Sequence, residues 1–564
     1  ERQSSASLDR TLRNQATALL NYRNKFAGKH NVAALIGTEY FLEQRFSFSA
    51  ATRYSPTDLI YTMNVGSQAQ GVPTSSRTQY AIASLLGQVN YDYDYKYLVG
   101  LTFRNDGTSR LANQKWGFFP GISLGWNAHN EDFFKESSVK NYISKLKPRI
   151  SYGVNGNIEV LSNFGVFGRY GTTSVYDGLT GYVNNGLPTL DLMWERSTTL
   201  NFGIDLGLFN DRVNLIGDYF IRDVQDKLAG LTLPLWTGFG SILTNNGTLQ
   251  NKGLELQITA DVLKTKDFKW TLGATFTQIK SYAKKLPKNG VDKNRQGGVE
   301  IFDAATGKSK YVGGLQEGER LGYDLITGYV FDGVYNTQDE IEADKDRIVE
   351  FAYAKNKRFL GDSRWKDMNG DNIINYLDRV VLGRSTPDFI GGLTSNLTYK
   401  NFGLFVKTDF AVGHIILNGR RLKGIAQTQG NQNGPLEIRD TWTAENATSD
   451  IPRFDLTDPQ RNHRAAGFDN GDNTNVSSRY WEKGDYFAIR ELTLSYTIDK
   501  KFVKNIFKDA RIYLTGSNLA YINGFSGSSP EEAVPDETNN WERGLDRGRF
   551  PLPRTYTLGI NLTF

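Results

Sequence analysis

Apolar and polar residues alternate with period two along most of this chain, a pattern that restricts it to β-strands with two unlike faces. In STTLNFGIDLGLF, Leu200, Phe202, Ile204, Leu206 and Leu208 share one face, and Thr199, Asn201, Gly203, Asp205 and Gly207 share the other. GLELQITADV likewise sets Leu254, Leu256, Ile258, Ala260 and Val262 against Glu255, Gln257, Thr259 and Asp261. The last segment, RTYTLGINLTF, sets Tyr556, Leu558, Ile560, Leu562 and Phe564 against Thr555, Thr557, Gly559, Asn561 and Thr563. Similar segments predict about fifteen strands, near 12–24, 29–49, 78–93, 95–109, 115–129, 145–157, 194–209, 211–227, 250–263, 267–283, 388–400, 402–416, 486–500, 509–522 and 553–564.

A soluble sandwich alternates too, so the connections have to decide between it and a membrane barrel. Tight turns at 91–96, 209–212, 263–267 and 399–402 alternate with long excursions at 50–77, 157–193, 228–249, 284–387, 417–485 and 523–552. Only the short outward link near 110–114 and the longer inward one at 130–144 depart from this rhythm. Short periplasmic turns and long extracellular loops are the asymmetry of outer-membrane barrels, and a sandwich has no reason to sort its loops this way. With a periplasmic C-terminus, Phe564 completes the apolar face of a final outer-membrane strand; otherwise it is an ordinary edge strand that ends in Phe.

Composition agrees with an all-β chain. Gly 57, Tyr 29 and Phe 33 stand against three methionines, and no apolar run reaches the roughly 18 residues of a membrane helix. The mean hydropathy of -0.46 is compatible with a multi-pass barrel, whose strands never look hydrophobic overall. The chain has no cysteine, which excludes disulfides, thiol catalysis and thiolate metal sites. Its net charge of +5 is spread without a basic stripe, so nucleic acid is not an expected partner. The opening ERQSSASLDR has no start methionine or signal peptide and is expected to begin a mature chain or a fragment of something longer.

Several stretches carry a resemblance, in order, across nearly the whole chain. LTFRNDGTSRL at 101–111, WGFFPGISLGW at 116–126, ISYGVNGN at 150–157, LMWERSTTLNFGIDLGLFNDRV at 192–213, NNGTLQNKGLEL at 245–256, YFAIRELTLSYTI at 486–498, TGSNLAYINGFSG at 515–527 and PLPRTYTLGINLTF at 551–564 resemble the barrel of SusC/RagA-like TonB-dependent outer-membrane transporters. The resemblance implies a plug domain inside a barrel of roughly 22 strands. Residues 1–564 are then expected to be the C-terminal portion of that transmembrane antiparallel β-barrel, with plug and early strands absent from this chain. Alone, such a portion has open edges that cannot lie in outer-membrane lipid.

The resemblance further implies import of oligosaccharides or peptides too large for porins, with a SusD-like surface lipoprotein as lid and the TonB complex as energy source. A glycan is the first expected substrate and an oligopeptide the second. The loops 284–387 and 417–485 are the expected lid-docking surfaces, and solvated loops without a partner are the alternative. A reading from another class stays open: a non-transporting surface barrel that binds or adheres through its outer loops.

Catalytic motifs do not emerge, so no enzyme and no organic cofactor are expected. Ser123 in GISLG lies inside a predicted strand, whereas a nucleophile elbow needs a strand, a sharp turn and a helix. GKS at 307–309 lacks the phosphate-loop glycine because Phe302 occupies its place, and His30, His129, His414 and His463 form no H-E-x-x-H pair. Trp236, Trp442, Trp481 and Trp541 fall in or beside outer loops, as interfacial girdle residues or, alternatively, as sugar-stacking platforms. No substrate-binding residue is assigned.

The best local site is DMNGDNIINYLD. Asp367, Asn369 and Asp371 occupy calcium-loop positions one, three and five, the Ile373 carbonyl takes seven, Asn375 nine and Asp378 twelve. Asn372 stands at the glycine position but tolerates the left-handed conformation, and Asp378 reaches less far than glutamate. A structural Ca²⁺ in an extracellular loop is the expectation, and an Asx-rich turn without an ion is the alternative.

Overall fold

The computed structural model describes residues 2–57, 59–60, 62–350, 357–426, 434–454, 477–499, 501, 507–531, 544–546, 548 and 551–563. Fifteen long strands follow one another in chain order in one antiparallel sheet. They are β1 (Gln3–Phe26), β2 (His30–Arg53), β3 (Thr74–Tyr93), β4 (Tyr97–Thr108), β5 (Trp116–Trp126), β6 (Ile143–Asn157), β7 (Glu195–Leu208) and β8 (Val213–Thr232). There follow β9 (Ser241–Lys264), β10 (Phe268–Lys285), β11 (Phe389–Tyr399), β12 (Phe402–Val412), β13 (Tyr486–Thr497), β14 (Asp509–Asn523) and β15 (Thr555–Thr563). Each predicted strand is present. Phe564 lies outside the described residues.

Two compact units divide the chain: Glu1–Leu206 with Asp218–Lys252 and Lys284–Gly290, and Gly207–Gly217 with Gly253–Ala283 and Val291–Phe564. In the first, β1 to β6 form a meander with unbroken registers, such as Gln3↔Arg53 through Phe26↔His30 between β1 and β2. In the second, β10 to β15 form another, with Arg490 on β13 and Asn518 and Leu519 on β14 out of register. Among the described residues β1 pairs only with β2, and β15 only with β14.

The inner turns are tight because they use left-handed backbone. Ala27 and Gly28 have φ of 46° and 70°, and Asp94 and Tyr95 have 51° and 55°. Two successive positive φ values match the twist of the flanking strands, and the hairpins close over the three residues 27–29 and 94–96. One outer link is shorter than the sequence pattern predicts. The excursion expected at 228–249 contracts to 233–240, because β8 and β9 keep pairing past the apolar band: Leu233 N donates to the Gly240 carbonyl at 3.1 Å.

The long outer loops build small cores of their own. In the first unit Leu111, Phe119, Ile158, Leu161, Val166, Leu192, Trp194 and Leu228 bury one another, with Phe119 and Trp194 edge to face at 5.4 Å. In the second, Tyr329, Val349, Trp365 and Ile374 form a core inside the 284–387 excursion. Leu417, Leu422, Ile425 and Tyr480 form another inside 417–485, part of which lies outside the described residues. These loops are folded elements rather than slack connections, because each buries an apolar cluster of its own.

Candidate functional site

Register decides which side chains share a face. Leu20 stands opposite Ile36, Val89 opposite Leu101, Leu101 opposite Ile122, and Leu124 opposite Ile150. These residues are exposed, so this face of the sheet is apolar and, among the described residues, uncovered. Aromatic residues lie on the same face near the inner turns, including Tyr22, Phe26, Tyr97 and Trp126. An apolar band bordered by aromatic rings is what lipid and its interface require. His30 belongs to this border, with its ring against Tyr91 Oη at 2.9 Å and Tyr93 at 5.0 Å.

The opposite face is polar and laced with ion pairs. Arg13 meets Glu43 at 2.6 Å, Arg104 meets Glu39 at 3.0 Å and Asp106 at 2.7 Å, and Arg149 bridges Asp205 at 3.1 Å and Asp218 at 2.6 Å. In the second unit hydroxyls join the charges on its polar face. Thr271 donates to Asp261 at 2.7 Å, Thr493 and Thr515 share a hydrogen bond at 2.8 Å, and Gln257, Thr259, Thr275, Thr277 and Thr394, together with Lys407 and Asp409, line a cavity of about 480 Å³.

At the outer end of that unit, Arg490 is the displaced residue of β13, so a β-bulge points its guanidinium off the regular ladder. It donates to Asp409 at 2.8 Å, to Glu531 at 2.7 Å and to Tyr521 Oη at 2.6 Å. Tyr486 Oη donates to Asp409, and Tyr521 Oη to Glu531. The group ties the segment after β14 to the wall strands β12 and β13. Sequence reading missed it, and the only local signal was a charged pair, Arg490 and Glu491, interrupting the alternation of β13.

The acidic loop folds as an anchored turn. Ile374 is fully buried in the loop core and Asp378 is fully buried beside it. Asp367 accepts from the amides of Gly370 at 2.7 Å and Asn372 at 2.8 Å, and Asp371 from Ile373 at 2.7 Å. Asn369 accepts from the Asp371 amide and Asn375 from the Leu377 amide, while Asp378 accepts from Met368 at 2.8 Å and Asn375 at 2.9 Å. Asn372 takes φ of 63°, the left-handed geometry expected of it. All six predicted ligand residues are thus in one loop, whose side-chain oxygens accept from its own backbone. Among the described residues no group of three or more His, Cys, Asp or Glu is arranged to hold a metal. Burial pushes the Asp378 carboxyl above the ordinary aspartate range, and the charges of Asp367 and Asp371 push it further. That charge crowding is what a bound cation would relieve.

Other predicted residues have structural roles. Ser123 sits mid-strand opposite Ser151, far from elbow geometry. Trp481 packs in the loop core around Tyr480, and Trp442 is half-buried against Gly361 and Arg453, so neither belongs to an interfacial girdle. The reason is that their loops fold inward on apolar cores. Trp236 is 86% exposed at the tip of the β8–β9 connection. Trp541 and His463 lie outside the described residues. His414 is buried with Asp485 3.9 Å away, and His129 Nδ1 faces the Leu146 backbone at 3.1 Å.

A meander of long antiparallel strands with an apolar aromatic-edged face and a polar ion-paired face is the wall of an outer-membrane β-barrel. The family model described as TonB dependent receptor-like, beta-barrel matches residues 2–310, and the chain belongs to that family, whose members reside in the outer membrane. It is 30% identical to TonB-dependent receptor P3 of Formosa agariphila, over 96% of this chain and 51% of that one. It is 26% identical to TonB-dependent receptor SusC of Bacteroides thetaiotaomicron, over 87% of this chain and 44% of that one. The chain therefore spans about half the length of the curated relatives it matches. Among solved structures, the RagAB peptide transporter superposes with a TM-score of 0.75 at 21% identity, over 100% of this chain and 56% of that one. That likeness concerns the fold.

Proposed function

We propose that this chain is the barrel portion of a TonB-dependent importer that carries a large nutrient across the outer membrane with a SusD-like surface lipoprotein. The observation that carries the reading is the two-faced wall, apolar and aromatic outside, polar and ion-paired inside, in a chain of the TonB-dependent receptor family. A polar lumen lets a hydrated solute exchange hydrogen bonds with the wall instead of losing them. An oligosaccharide is the first-choice substrate because hydroxyls and an amide, together with Lys407 and Asp409, line the second unit's cavity, and an oligopeptide is the second. The folded excursions 284–387 and 417–485 supply stable surfaces for the lid.

The testing experiment is uptake by cells with and without the intact gene, each offered defined glycans and peptides as sole nutrient. Import predicts loss of growth on one class, whereas growth unchanged on every substrate defeats the reading. The alternative of a surface-binding barrel draws support from the hairpin Arg169–Tyr176 and Leu179–Gly186, which exposes Tyr170, Tyr176 and Tyr182. Adhesion without uptake would favour it.

For the loop Asp367 to Asp378, the reading is that a structural Ca²⁺ offsets the crowding of Asp367, Asp371 and buried Asp378, with Asn369, Asn375 and the Ile373 carbonyl as further oxygen donors. Calcium titrated into the full-length protein after EDTA treatment should raise its melting temperature. Identical melting with and without the ion would remove calcium from the account.

A further inference from the structure

The apolar outward face of β1 to β3 does not end with the lipid band. Phe26, His30, Tyr93, Tyr97 and Trp126 stand in one row across β1 to β5 at the inner border, and Ala16, Tyr40, Ala83, Gly107 and Trp116 stand in another. The strand between these rows is about 33 Å long, or roughly 25 Å of height at the usual tilt, which is the whole apolar band of an outer-membrane barrel. Beyond the second row β1, β2 and β3 continue outward in the same register, and Leu12, Leu8, Phe46 and Phe48 keep their outward face apolar and exposed. Lipid tails end below these residues.

Within this extension Arg10, Phe46 and Arg77 form one row, with Phe46 directly opposite each arginine. The two arginines are two strand spacings, about 10 Å, apart, a gap that extended side chains close from either side of the ring. Both are exposed, and neither has an ion pair or side-chain hydrogen bond among the described residues. On the opposite face of the same strands the arginines are matched, Arg13 by Glu43 at 2.6 Å and Arg45 by Asp9 at 3.2 Å. Arg77 carries the contrast furthest, because both strand neighbours of β3 belong to this chain and are described. One row inward Gln44 donates to Gln79 at 3.4 Å, and one row outward Phe48 lies between Leu8 and Ser75.

We propose that this row binds the phosphorylated sugar headgroup of an outer-leaflet glycolipid, with a phosphate clasped between Arg10 and Arg77 above Phe46. Height selects the class of lipid. The row lies about 20 Å of strand, or roughly 15 Å of height, beyond the apolar band. A phospholipid headgroup region is only about 5–8 Å deep, so its phosphate stays below the arginines, whereas a headgroup of several sugars reaches them. Two guanidinium forks match phosphate oxygens in charge and in planar geometry. The rings of Phe46 and Phe48 offer flat apolar surfaces to the C–H faces of sugars, and the Gln44 and Gln79 amides offer hydrogen bonds to sugar hydroxyls. The site rests on which face of the sheet is outward and not on transport.

The test uses full-length protein in detergent and three lipids: rough lipopolysaccharide with its core phosphates, the same glycolipid after dephosphorylation, and phosphatidylglycerol. The first should bind roughly tenfold or more tighter than either of the others. Arg77→Gln should weaken that binding by roughly tenfold and the double variant Arg10→Gln, Arg77→Gln by more, as expected on losing charge-assisted hydrogen bonds. Heat-modifiable migration shows which variants are folded, and Arg77→Lys, which keeps the charge but not the fork, should show a smaller loss and keeps the test open if Arg77→Gln does not fold. Equal binding of phosphatidylglycerol or of the dephosphorylated glycolipid overturns the proposal, as does unchanged glycolipid binding in the double variant. Loss of self-association or of a protein partner in the double variant, with glycolipid binding intact, assigns the row to a protein and overturns it as well. Glycolipid binding at the row in a protein that supports no uptake upholds the proposal and counts only against the import reading.

Discussion

Asp378 shows how one side chain connects sequence, burial and stability. Both of its oxygens accept backbone amides, yet burial and two neighbouring carboxylates raise its pKa. A carboxyl whose folded pKa exceeds its unfolded value favours the fold while protonated. That contribution is full below about pH 4 and is lost as pH rises through the raised folded value. Asp378→Asn removes the titration but places an amide nitrogen against a backbone N–H, costing about 1–3 kcal/mol. Melting curves from pH 4 to 7 should therefore show a variant that is less stable than wild type and flatter with pH. Arg490 makes a second residue-scale case. Arg490→Ala strands Asp409 and Glu531 together, with a cost of roughly 3 kcal/mol. Faster protease cleavage after β14 in the variant, with the strands still protected from hydrogen exchange, is the expected result.

At the scale of elements, the hairpins depend on turn chemistry more than on strand propensity. Gly28 has φ of 70° with open space around it, so a side chain there meets no neighbour but pays the left-handed backbone penalty. Gly28→Val should destabilise the β1–β2 hairpin by about 1–2 kcal/mol, read as a lower refolding yield and melting temperature. The fifteen long strands were legible because period-two patterning acts within each strand. The hairpin at 169–186 was not assigned from sequence although Asp177 and Gly178 form a recognised turn pair, both with positive φ. Its flanks, Tyr170 to Tyr176 and Leu179 to Val183, lack alternation because neither face is buried. The extension of β9 back to Ser241 was hidden for a similar reason, since NNGTLQ reads as loop chemistry until β8 supplies a partner.

For the whole molecule, the assignment of faces makes the sharpest prediction. Leu101→Arg places a charge on the lipid face and should cost about 2–4 kcal/mol near the bilayer midplane. Gln88→Arg on the polar face should cost little. Outer-membrane assembly, followed by heat-modifiable migration of the folded barrel, should fail for the first and survive in the second, and equal behaviour would contradict the face assignment. Among the described residues β1 and β15 each have one strand neighbour, which adds a second expectation for this portion taken by itself. Produced by themselves, residues 1–564 should associate through these edges and form no conducting pore, because an open edge leaves backbone groups unsatisfied in lipid.

Alternation and loop lengths by themselves determined that this protein is a meander of two-faced strands, since side-chain period and connection length are local properties. They also marked Asp367 to Asp378 as one oxygen-rich turn. Only the tertiary structure decided which charges meet, because ion-pair partners such as Arg104 and Glu39, or Arg149 and Asp218, are set by register between strands distant in sequence. It also decided that Arg490 leaves the ladder to hold an outer segment. Electrostatic pairing depends on distances of a few ångströms across strands, and no pattern along a single strand encodes those distances.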